Sequence, residues 1–509
     1  MTQVADTEQL LTNGQPLPLS RVPVFAFDDF CSEVGNRTAN GSSLSALFGV
    51  PNQGNDVRLY AVLSRTATGQ IAVFATDVGD HYPALTPTIP QAHWFEREIA
   101  EQWGIVPDGH PWLKPIRFHH SYSKGRDAWG RAVGDTILPC VTNYFRVEGE
   151  DVHEVAVGPV HAGVIEPGHF RFQCYGETVF TLEIELGFQH RGIERRLVGG
   201  PTKNTLHYME TLSGDTTIGH SLAYVQVLEG LAAVESPLKA QTIRAIALEL
   251  ERLACHTGDL GAIAQDIGFL PTSSFCGRLR GDFLNTTAVI CGNRFGRSIV
   301  RPGGVRWDIT PEMADVLTQR VETALRDVGG AANLLWNTPS VMARLEEVGT
   351  VSQQVAGELG LVGMAARASG IDRDIRRDFP SGIFRFAQVP AATWHTGDAF
   401  ARAYIRWLEV QRSARFILDQ LKALPGGPIK ADVGALQPDS LVVSLTEGWR
   451  GEICHVAITN DEGRFAHYKV VDPSFHNWIG LAMSLRNQEI SDFPLCNKSF
   501  NLSYCGHDL

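Results

Sequence analysis

The sequence predicts an α+β fold, in which a small N-terminal α/β domain is followed by a large helical-bundle domain that carries β-hairpins. Three observations support this fold class. β-branched runs between turn residues dominate roughly the first 120 positions, a β-hairpin pattern begins near residue 155, and apolar residues then recur with helical spacing. Of the 509 residues, 44% are hydrophobic and 20% charged, so a large core can form and disorder is excluded as the main state.

Residues 1–120 are predicted to form the small α/β domain. The β-branched runs at 57–63 and 71–74 are flanked by Gly and Asn, which is typical of hairpin strands. An amphipathic segment begins at His93. Residues 121–150 mix Gly, Asp, Asn and basic side chains, and we interpret them as a linker.

Residues 151–509 are predicted to form the second domain. A hairpin pattern begins at Val155 and a long helical region at Lys203. The clearest helix covers 237–266, where apolar residues recur at i, i+3, i+4 and i+7. Further predicted elements are helices at about 274–296, 310–336 and 397–424, a late hairpin with the sequences LVVSLTEGWRGEICHVAI and RFAHYKVVD, and a C-terminal helix that starts beyond Pro473.

The helix at 237–266 also carries a second, charged stripe. Its members are Glu249, Arg252, His256 and Asp259, at i, i+3, i+7 and i+10. Alternating charges at this spacing are typical of a solvated or ion-paired helix face. The stripe is therefore predicted to be structural and not a site.

Charge and cysteine content narrow the functional classes. The net charge of −12 argues against nucleic-acid binding, which needs a basic surface. No two of the nine cysteines stand within five residues of each other, so no CxxC pair exists; with no signal-peptide pattern after Met1, this indicates reduced thiols in the cytosol. No uncharged apolar run reaches about 18 residues, and membrane contact is expected only through partners.

Two histidines and one charged segment are the candidates for chemistry. His161 and His169 stand in a predicted hairpin loop, and histidine suits proton relay because its ordinary pKa of about 6.5 permits both protonation states. A structural loop role explains each of them as well. The segment HRGIERR at 190–196 concentrates charge where a strand gives way to a helix, and a solvated helix start also explains it. No GxGxxG or GxxxxGK[ST] phosphate loop occurs.

Several motifs in order resemble one protein family across nearly the whole chain. HWFEREIAEQWGIVPDGHPWLKP at 93–115 is similar to a signature of the complex I subunit that docks beside the quinone-site subunit. From about Val155 the chain resembles that quinone-site subunit and the large subunits of membrane-bound NiFe hydrogenases. The segments that carry this resemblance are GPVHAGVIEPGHFRF, GETVFTLEIELGFQHRGIER, ELERLACH, DIG at 266–268, RPGGV at 301–305, EGWRGE at 447–452 and DPSF at 472–475.

The resemblance implies a fusion of a 30 kDa-type and a 49 kDa-type complex I subunit. It also implies the fold of the NiFe hydrogenase large subunit and the complex I quinone subunit for the second domain. The fused arrangement and the ending NKSFNLSY are closer to the formate-hydrogenlyase type, group 4, than to complex I.

The chain departs from the hydrogenase pattern at the metal ligands. NiFe hydrogenases hold nickel and iron with four cysteines in two CxxC pairs, because these metals require soft thiolates. The matching positions here carry Ser213 and Thr216 in the first pair and Ser474 and Asn477 in the second. The resemblance therefore implies no NiFe centre, no metal ligands in this chain and no hydrogen turnover.

The complex I pattern is incomplete as well. The position of the tyrosine that faces the quinone head group is Gly214, and Thr211 stands where an arginine precedes it. Gly296 replaces a histidine that lies near the terminal iron–sulfur cluster in the family. These losses argue against standard quinone chemistry.

Some functional positions of complex I are retained. Arg191 matches an arginine near the terminal cluster, and either His169 or His161 matches a hairpin histidine that pairs with an aspartate, here Asp266. A carboxylate beside an imidazole stabilises the imidazolium and fixes its tautomer. His161, His169, Asp266 and Arg191 are thus the predicted residues for proton relay and for charge near the cluster.

The resemblance implies a subunit on the cytoplasmic face of the cell membrane that binds no cofactor of its own. Expected partners are a small iron–sulfur subunit, a ferredoxin-like subunit and antiporter-like membrane-arm subunits. Electrons would pass from a partner's [4Fe–4S] cluster to an acceptor, and quinone is one candidate for that acceptor. The whole assembly would be NADH dehydrogenase-like, and NAD binding and ion translocation are expected of it. Two alternatives stay open: a non-catalytic structural coupling subunit, and a hydrogenase with unusual ligands.

Overall fold

An antiparallel sheet packed against two helices organises the N-terminal unit. The computed structural model describes residues 10–52, 56–162 and 165–509. The elements of this unit are β1 (Leu10–Leu11), β2 (Pro16–Pro18), β3 (Val24–Phe25), α1 (Phe27–Ala39), β4 (Ser42–Pro51), β5 (Val57–Arg65), β6 (Gln70–Val78), β7 (His81–Pro83), α2 (His93–Trp103) and β8 (Val106–Asp108). The sheet order is β1-β6-β5-β4, with β3 parallel to β6. The two predicted hairpin strands are β5 and β6.

The amphipathic segment that begins at His93 forms helix α2, and its charged residues are not solvated. Every residue from Trp94 to Trp103 is buried, including three glutamates. Buried charges need partners, and the backbone supplies them: Glu96 accepts the N–H of Leu85 at 2.8 Å, and Glu101 accepts the N–H groups of residues 116–119. The helix thus fixes the loops around it.

Three further sheets belong to the second unit. Its strands are β9 (Val152–Val157), β10 (His169–Tyr175), β11 (Thr178–Glu185), β12 (Val300–Arg301), β13 (Gly304–Val305), β14 (Ser440–Glu447), β15 (Glu452–Thr459) and β16 (Phe465–Val471). β10 pairs antiparallel with β9 and β11, β12 and β13 form a two-stranded antiparallel pair, and β15 pairs antiparallel with β14 and β16. β14 and β15 are buried at every residue, so their sheet lies inside the molecule.

Helices make up most of the second unit, which agrees with the predicted α+β class. They are α3 (Ile193–Leu197), α4 (Thr205–Met209), α5 (Thr217–Leu231), α6 (Leu238–Asp266), α7 (Leu270–Cys291), α8 (Pro311–Trp336), α9 (Pro339–Leu345), α10 (Gln353–Glu358), α11 (Gly363–Ala368), α12 (Ile375–Asp378), α13 (Ala399–Lys422), α14 (Pro473–Ser484), α15 (Phe493–Phe500) and α16 (Tyr504–Asp508). The four long predicted helices correspond to α6, α7, α8 and α13.

The charged stripe on α6 is ion-paired and buried, which is one of the two predicted alternatives. Glu249, Arg252 and His256 have 0% exposed surface and Asp259 has 5%. Helix α13 packs along this face of α6 and supplies Glu409, which accepts from His256 Nε2 at 2.7 Å. Helical spacing alone does not distinguish a solvated charged face from one that meets opposite charges on a neighbouring helix.

The two units are joined by a strand pair. β2, near the start of the chain, lies antiparallel to β14, with Leu17 opposite Leu441. Residues 121–150 contain turns and bends but no helix or strand. Within the described ranges, no helix is both long enough and apolar enough to cross a bilayer.

Candidate functional site

Three of the four residues that the resemblance assigns to the metal-ligand positions of hydrogenases lie together where α5 and α14 begin. Ser213 and Thr216 precede α5, and Ser474 lies in the first turn of α14. Ser503 connects the two helix starts: its Oγ lies 2.9 Å from Ser213 Oγ, and its N–H donates to Ser474 Oγ at 2.8 Å. All of these side chains are buried.

Asn477, at the fourth position, is committed to the backbone. Its amide nitrogen donates to the carbonyl of Val362 at 3.1 Å, and its Oδ1 accepts the N–H of the same residue at 3.0 Å. This amide is fully buried and holds the start of α11 against α14. The side chain therefore has a structural role.

An ion pair occupies the space beside these hydroxyls. Arg450, in the turn between β14 and β15, donates to both carboxylate oxygens of Asp215, at 2.7 and 2.8 Å. Ser213 and Thr216 each donate to Asp215 Oδ1 at 3.1 Å. Burial alone would raise the pKa of Asp215, but the guanidinium and the hydroxyls outweigh it and lower that pKa below its usual value.

A chain of aromatic and imidazole side chains leads into this region from the inner sheet. His220 Nε2 lies 3.0 Å from Asp472 Oδ2, and His220 Nδ1 lies 3.1 Å from His455 Nε2. His455 Nδ1 lies 2.9 Å from the hydroxyl of Tyr468. None of the four side chains has more than 1% of its surface exposed.

Burial sets the charge states along this chain. It lowers the pKa of His455 well below its usual value, and His220 lowers it further. Burial also raises the pKa of Tyr468 well above the usual range. The pKa of Asp472 is lowered, because its hydrogen bond to His220 and the charge of Arg450 outweigh the effect of burial. Asp472 is thus the charged end of the chain.

We call the whole set the central polar network. It consists of Ser213, Asp215, Thr216, His220, Arg450, His455, Tyr468, Asp472, Ser474 and Ser503. Asp472 joins its two halves, because its carboxylate accepts the N–H of Ser474 at 2.8 Å and thereby caps α14.

The residues present do not fit a NiFe centre. The polar atoms of Ser213, Thr216 and Asn477 are engaged with protein partners, and hydroxyls and amides are hard ligands where soft thiolates are needed. In the part of the chain that the structure describes, no group of three or more His, Cys, Asp or Glu side chains is arranged to hold a metal ion.

The predicted His–Asp pair is not formed. His161 Nε2 lies 2.8 Å from the carbonyl of Gly168; His169 contacts the carbonyl of Gly158 and accepts from Arg171 Nε at 3.3 Å. Both ring nitrogens of His169 are thus used within its own hairpin. Asp266 lies at the surface, at the end of α6; the protein around its carboxyl displaces water and raises its pKa, and the charge of Lys498 opposes this rise. A proton-relay role for these residues stays a prediction.

Arg191 lies beside the central polar network and holds a loop of it. Its guanidinium donates to the carbonyls of Thr211 and Leu212 at 2.9 Å each, and to that of Cys505 at 3.0 Å. These contacts fix the segment that carries Ser213 to the C-terminal region. Gly214, in the position of the family's tyrosine, is exposed on this segment.

Sequence reasoning missed the roles of Asp215, His455, Tyr468 and Ser503. Asp215 stands between Ser213 and Thr216, the two positions to which the resemblance had already drawn attention. Its place in the sequence could therefore have indicated that it belongs to the site. His455 and Tyr468 lie on β15 and β16, and the register of that pair brings them together. Spacing along the chain carries no such information.

Comparisons with known proteins match parts of both units to complex I subunits. Residues 23–126 match the family described as respiratory-chain NADH dehydrogenase, 30 Kd subunit, and residues 266–440 match its 49 Kd subunit. Formate hydrogenlyase subunit 5 of Escherichia coli is 28% identical, over 83% of this chain and 76% of that protein. The carbon monoxide-induced hydrogenase of Rhodospirillum rubrum is 29% identical, over 69% and 97%. NADH-quinone oxidoreductase subunit 4 of Thermus thermophilus is 26% identical, over 67% and 90%.

Proposed function

Because this chain fuses a 30 kDa-type and a 49 kDa-type complex I subunit and is related to the large subunits of group 4 hydrogenases, we propose that it is the peripheral-arm subunit of a membrane redox complex. In this proposal it turns over no hydrogen. It links electron transfer from a partner's iron–sulfur cluster, with quinone as the acceptor to test, to proton or ion translocation. The observation that carries the proposal is the central polar network in place of the metal ligands.

The network is suited to holding and moving a proton. With neutral His220, the Tyr468 hydroxyl donates to His455 Nδ1, and His455 Nε2–H donates to His220 Nδ1. One added proton on His220 reverses both bonds, so that His220 Nδ1–H donates to His455 Nε2 and His455 Nδ1–H points at the Tyr468 oxygen. The carboxylate of Asp472 stabilises the resulting imidazolium.

The complex we propose contains the partners that the resemblance implies. A small iron–sulfur subunit and a ferredoxin-like subunit would carry the [4Fe–4S] clusters, since the nine cysteines of this chain include no close pair. Antiporter-like subunits would form the membrane arm, and this chain would lie at its cytoplasmic face. NAD would be a substrate of the assembly only if an NADH-oxidising partner is present.

The experiment uses the intact complex, purified from its natural host. We expect no stoichiometric nickel by elemental analysis, no hydrogen uptake or evolution, and electron transfer to a short-chain quinone. Replacing Tyr468→Phe keeps the ring but removes the hydroxyl, so quinone turnover should fall about tenfold or more and its pH profile should shift.

Tyr404→Phe on α13, a tyrosine outside the network, is the matched control and should leave turnover unchanged. Stoichiometric nickel would overturn the central claim, and failure to reduce any quinone would defeat the redox form of the proposal.

One observation favours a second function, that of a non-catalytic coupling subunit. Asn477 and the Asp215–Arg450 pair are satisfied within the chain, as in a purely structural core. If substitutions of Tyr468, His169 and Asp266 each leave turnover and ion transport unchanged, the chain is a scaffold that transmits movement to the membrane arm.

A further inference from the structure

Glu251, on α6, faces the start of α5 beside the central polar network. One of its carboxylate oxygens accepts the N–H of Ile218 at 2.7 Å, and the other accepts the N–H of Gly219 at 3.2 Å. The side chain is half-buried and has no cation within ion-pair distance among the described residues. A carboxyl group held in this way is neither neutralised by an arginine nor free in solvent.

A small cavity connects Glu251 with Asp215. Its volume is about 10 Å³, which is roughly the space that one water molecule needs. Asp215, Glu251, Cys255, Arg280 and Arg294 are among the residues that line it. Arg294 is exposed at the surface, whereas Asp215 is held by Arg450 within the central polar network. The lining of the cavity therefore includes both a surface residue and a member of the Asp215–Arg450 pair.

The groups around Glu251 determine when it carries a proton. Arg252 and Cys255 lie on its own helix, Asp215 lies before α5, and Arg280 and Arg294 face the cavity from α7 and the following loop. Burial raises the pKa of Glu251, the two backbone N–H groups lower it, and the charge of Asp215 raises it again, to a final value of about 8. At neutral pH the carboxyl is protonated and can donate.

We propose that Glu251 supplies protons from solvent to the reaction beside the Asp215–Arg450 pair, by way of one water in the shared cavity. The Glu251 O–H gives its proton to the water, the water passes a proton to the reduced acceptor, and the Asp215 carboxylate stays ionised against Arg450. Solvent beside Arg280 and Arg294 then returns a proton to Glu251. The proton-exchange role rests on the proposed function, whereas the protonation of Glu251 does not.

The first test needs no catalytic activity. Infrared spectra of the full-length chain and of the Glu251→Gln variant are recorded across a pH titration. Subtracting the variant's spectra from those of the unchanged chain isolates the carbonyl band of the protonated Glu251 carboxyl. We expect the band to disappear with a midpoint near pH 8. Glu235→Gln, at a glutamate whose side chain is 74% exposed, is the matched control and should remove no band in this range. A midpoint near the ordinary glutamate pKa of about 4.3 would overturn the proposal.

The second test uses the intact complex. Glu251→Gln should lower turnover about tenfold or more with little change in KM, and Glu251→Asp should restore part of it, because only an ionisable side chain can relay protons. Ala254→Val fills the cavity but leaves Glu251 in place, and should slow turnover as well. If quinone is reduced and neither variant slows it, the proton-exchange role is wrong. A complex that reduces no quinone would count against the proposed function alone, since the infrared titration still decides the state of Glu251.

Discussion

Asp215 and Arg450 show how a single residue pair can define a site. The Arg450 guanidinium donates a hydrogen bond to each carboxylate oxygen of Asp215. The ring of Trp449 lies against the guanidinium, 3.9 Å from the guanidinium carbon to the ring centre. This arrangement is specific to arginine, because a lysine ammonium has no bidentate geometry. The pair therefore fixes the turn between β14 and β15 against the start of α5.

Removing one partner should cost more than removing both. Arg450→Met leaves Asp215 without its counter-charge, and we expect the free energy of unfolding to fall by about 2 kcal/mol, a moderate value because the Asp215 side chain is 33% exposed. The double variant Asp215→Asn with Arg450→Met should lose less than Arg450→Met alone. Urea unfolding of the purified chain measures both. Equal losses in the two variants would show that the pair's charges do not interact.

The sequence predicted the site only in part at this scale. The missing cysteines pointed to Ser213, Thr216 and Ser474, which the fold does bring together. The predicted pair of His169 or His161 with Asp266 does not form: both histidines contact backbone carbonyls of their own hairpin, and Asp266 lies at the end of α6. Hydrogen-bond competition of this kind depends on side-chain geometry and leaves no trace in residue spacing.

At the scale of elements, buried ion pairs hold α2 against the second unit. Glu98 on α2 accepts from Lys469 Nζ on β16 at 2.6 Å, and Lys469 also donates to Glu194 on α3 at 2.9 Å. Arg117 pairs with Glu98 from the loop after β8. The charged residues of the 93–115 motif thus serve contacts between elements.

Lys469→Met tests this role. The methionine fits the space, but the buried Glu98 and Glu194 lose one of their two shared cations and keep only Arg117, so the free energy of unfolding should fall by about 3 kcal/mol. Thermal and urea unfolding measure the loss. Lys422→Met, at an exposed lysine ending α13, is the matched control and should change stability by less than about 0.5 kcal/mol. A loss as small as the control's would mean that α2 is held by apolar packing alone.

The long helices were the most predictable elements, because the face that each buries is apolar and repeats with helical spacing along the sequence. The predicted 310–336 and 397–424 agree with α8 and α13 within two residues at either end. The prediction of 274–296 was shifted against α7, which starts at Leu270 with Pro271 in its first turn and ends before Gly292, a residue with φ of +74°. Such end signals fix boundaries better than periodicity does. The short helices α9 to α12 lack enough turns to show a period.

At the scale of the molecule, the two fused units share one apolar core. Phe30 and Leu47 of the first unit belong to the same buried cluster as Val456 and Trp478 of the second. The strand pair of β2 with β14 continues this contact through the backbone. The fusion therefore produces one structure in which neither unit covers its own interior.

Separating the units should expose that interior. A fragment covering 121–509 lacks β2 and the first unit's half of the core, and we expect it to aggregate when expressed alone. Coexpression with 1–120 should restore a soluble complex, because the missing surfaces are supplied in trans. Size-exclusion chromatography distinguishes the outcomes. A monomeric 121–509 fragment with the unfolding temperature of the whole chain would show that the units fold independently.

The pairing of β2 with β14 also has a consequence for biosynthesis. Pro16–Pro18 leave the ribosome early, but their partners Ser440–Val442 are added more than 400 residues later. At roughly 5–20 residues per second, translation takes about 20–80 s to add the partner residues, and β2 is unpaired for that time. During that interval the nascent N-terminal segment presents unsatisfied backbone groups and apolar side chains such as Leu17, a substrate for holding chaperones. Final assembly of this protein is therefore timed by the completion of its own chain.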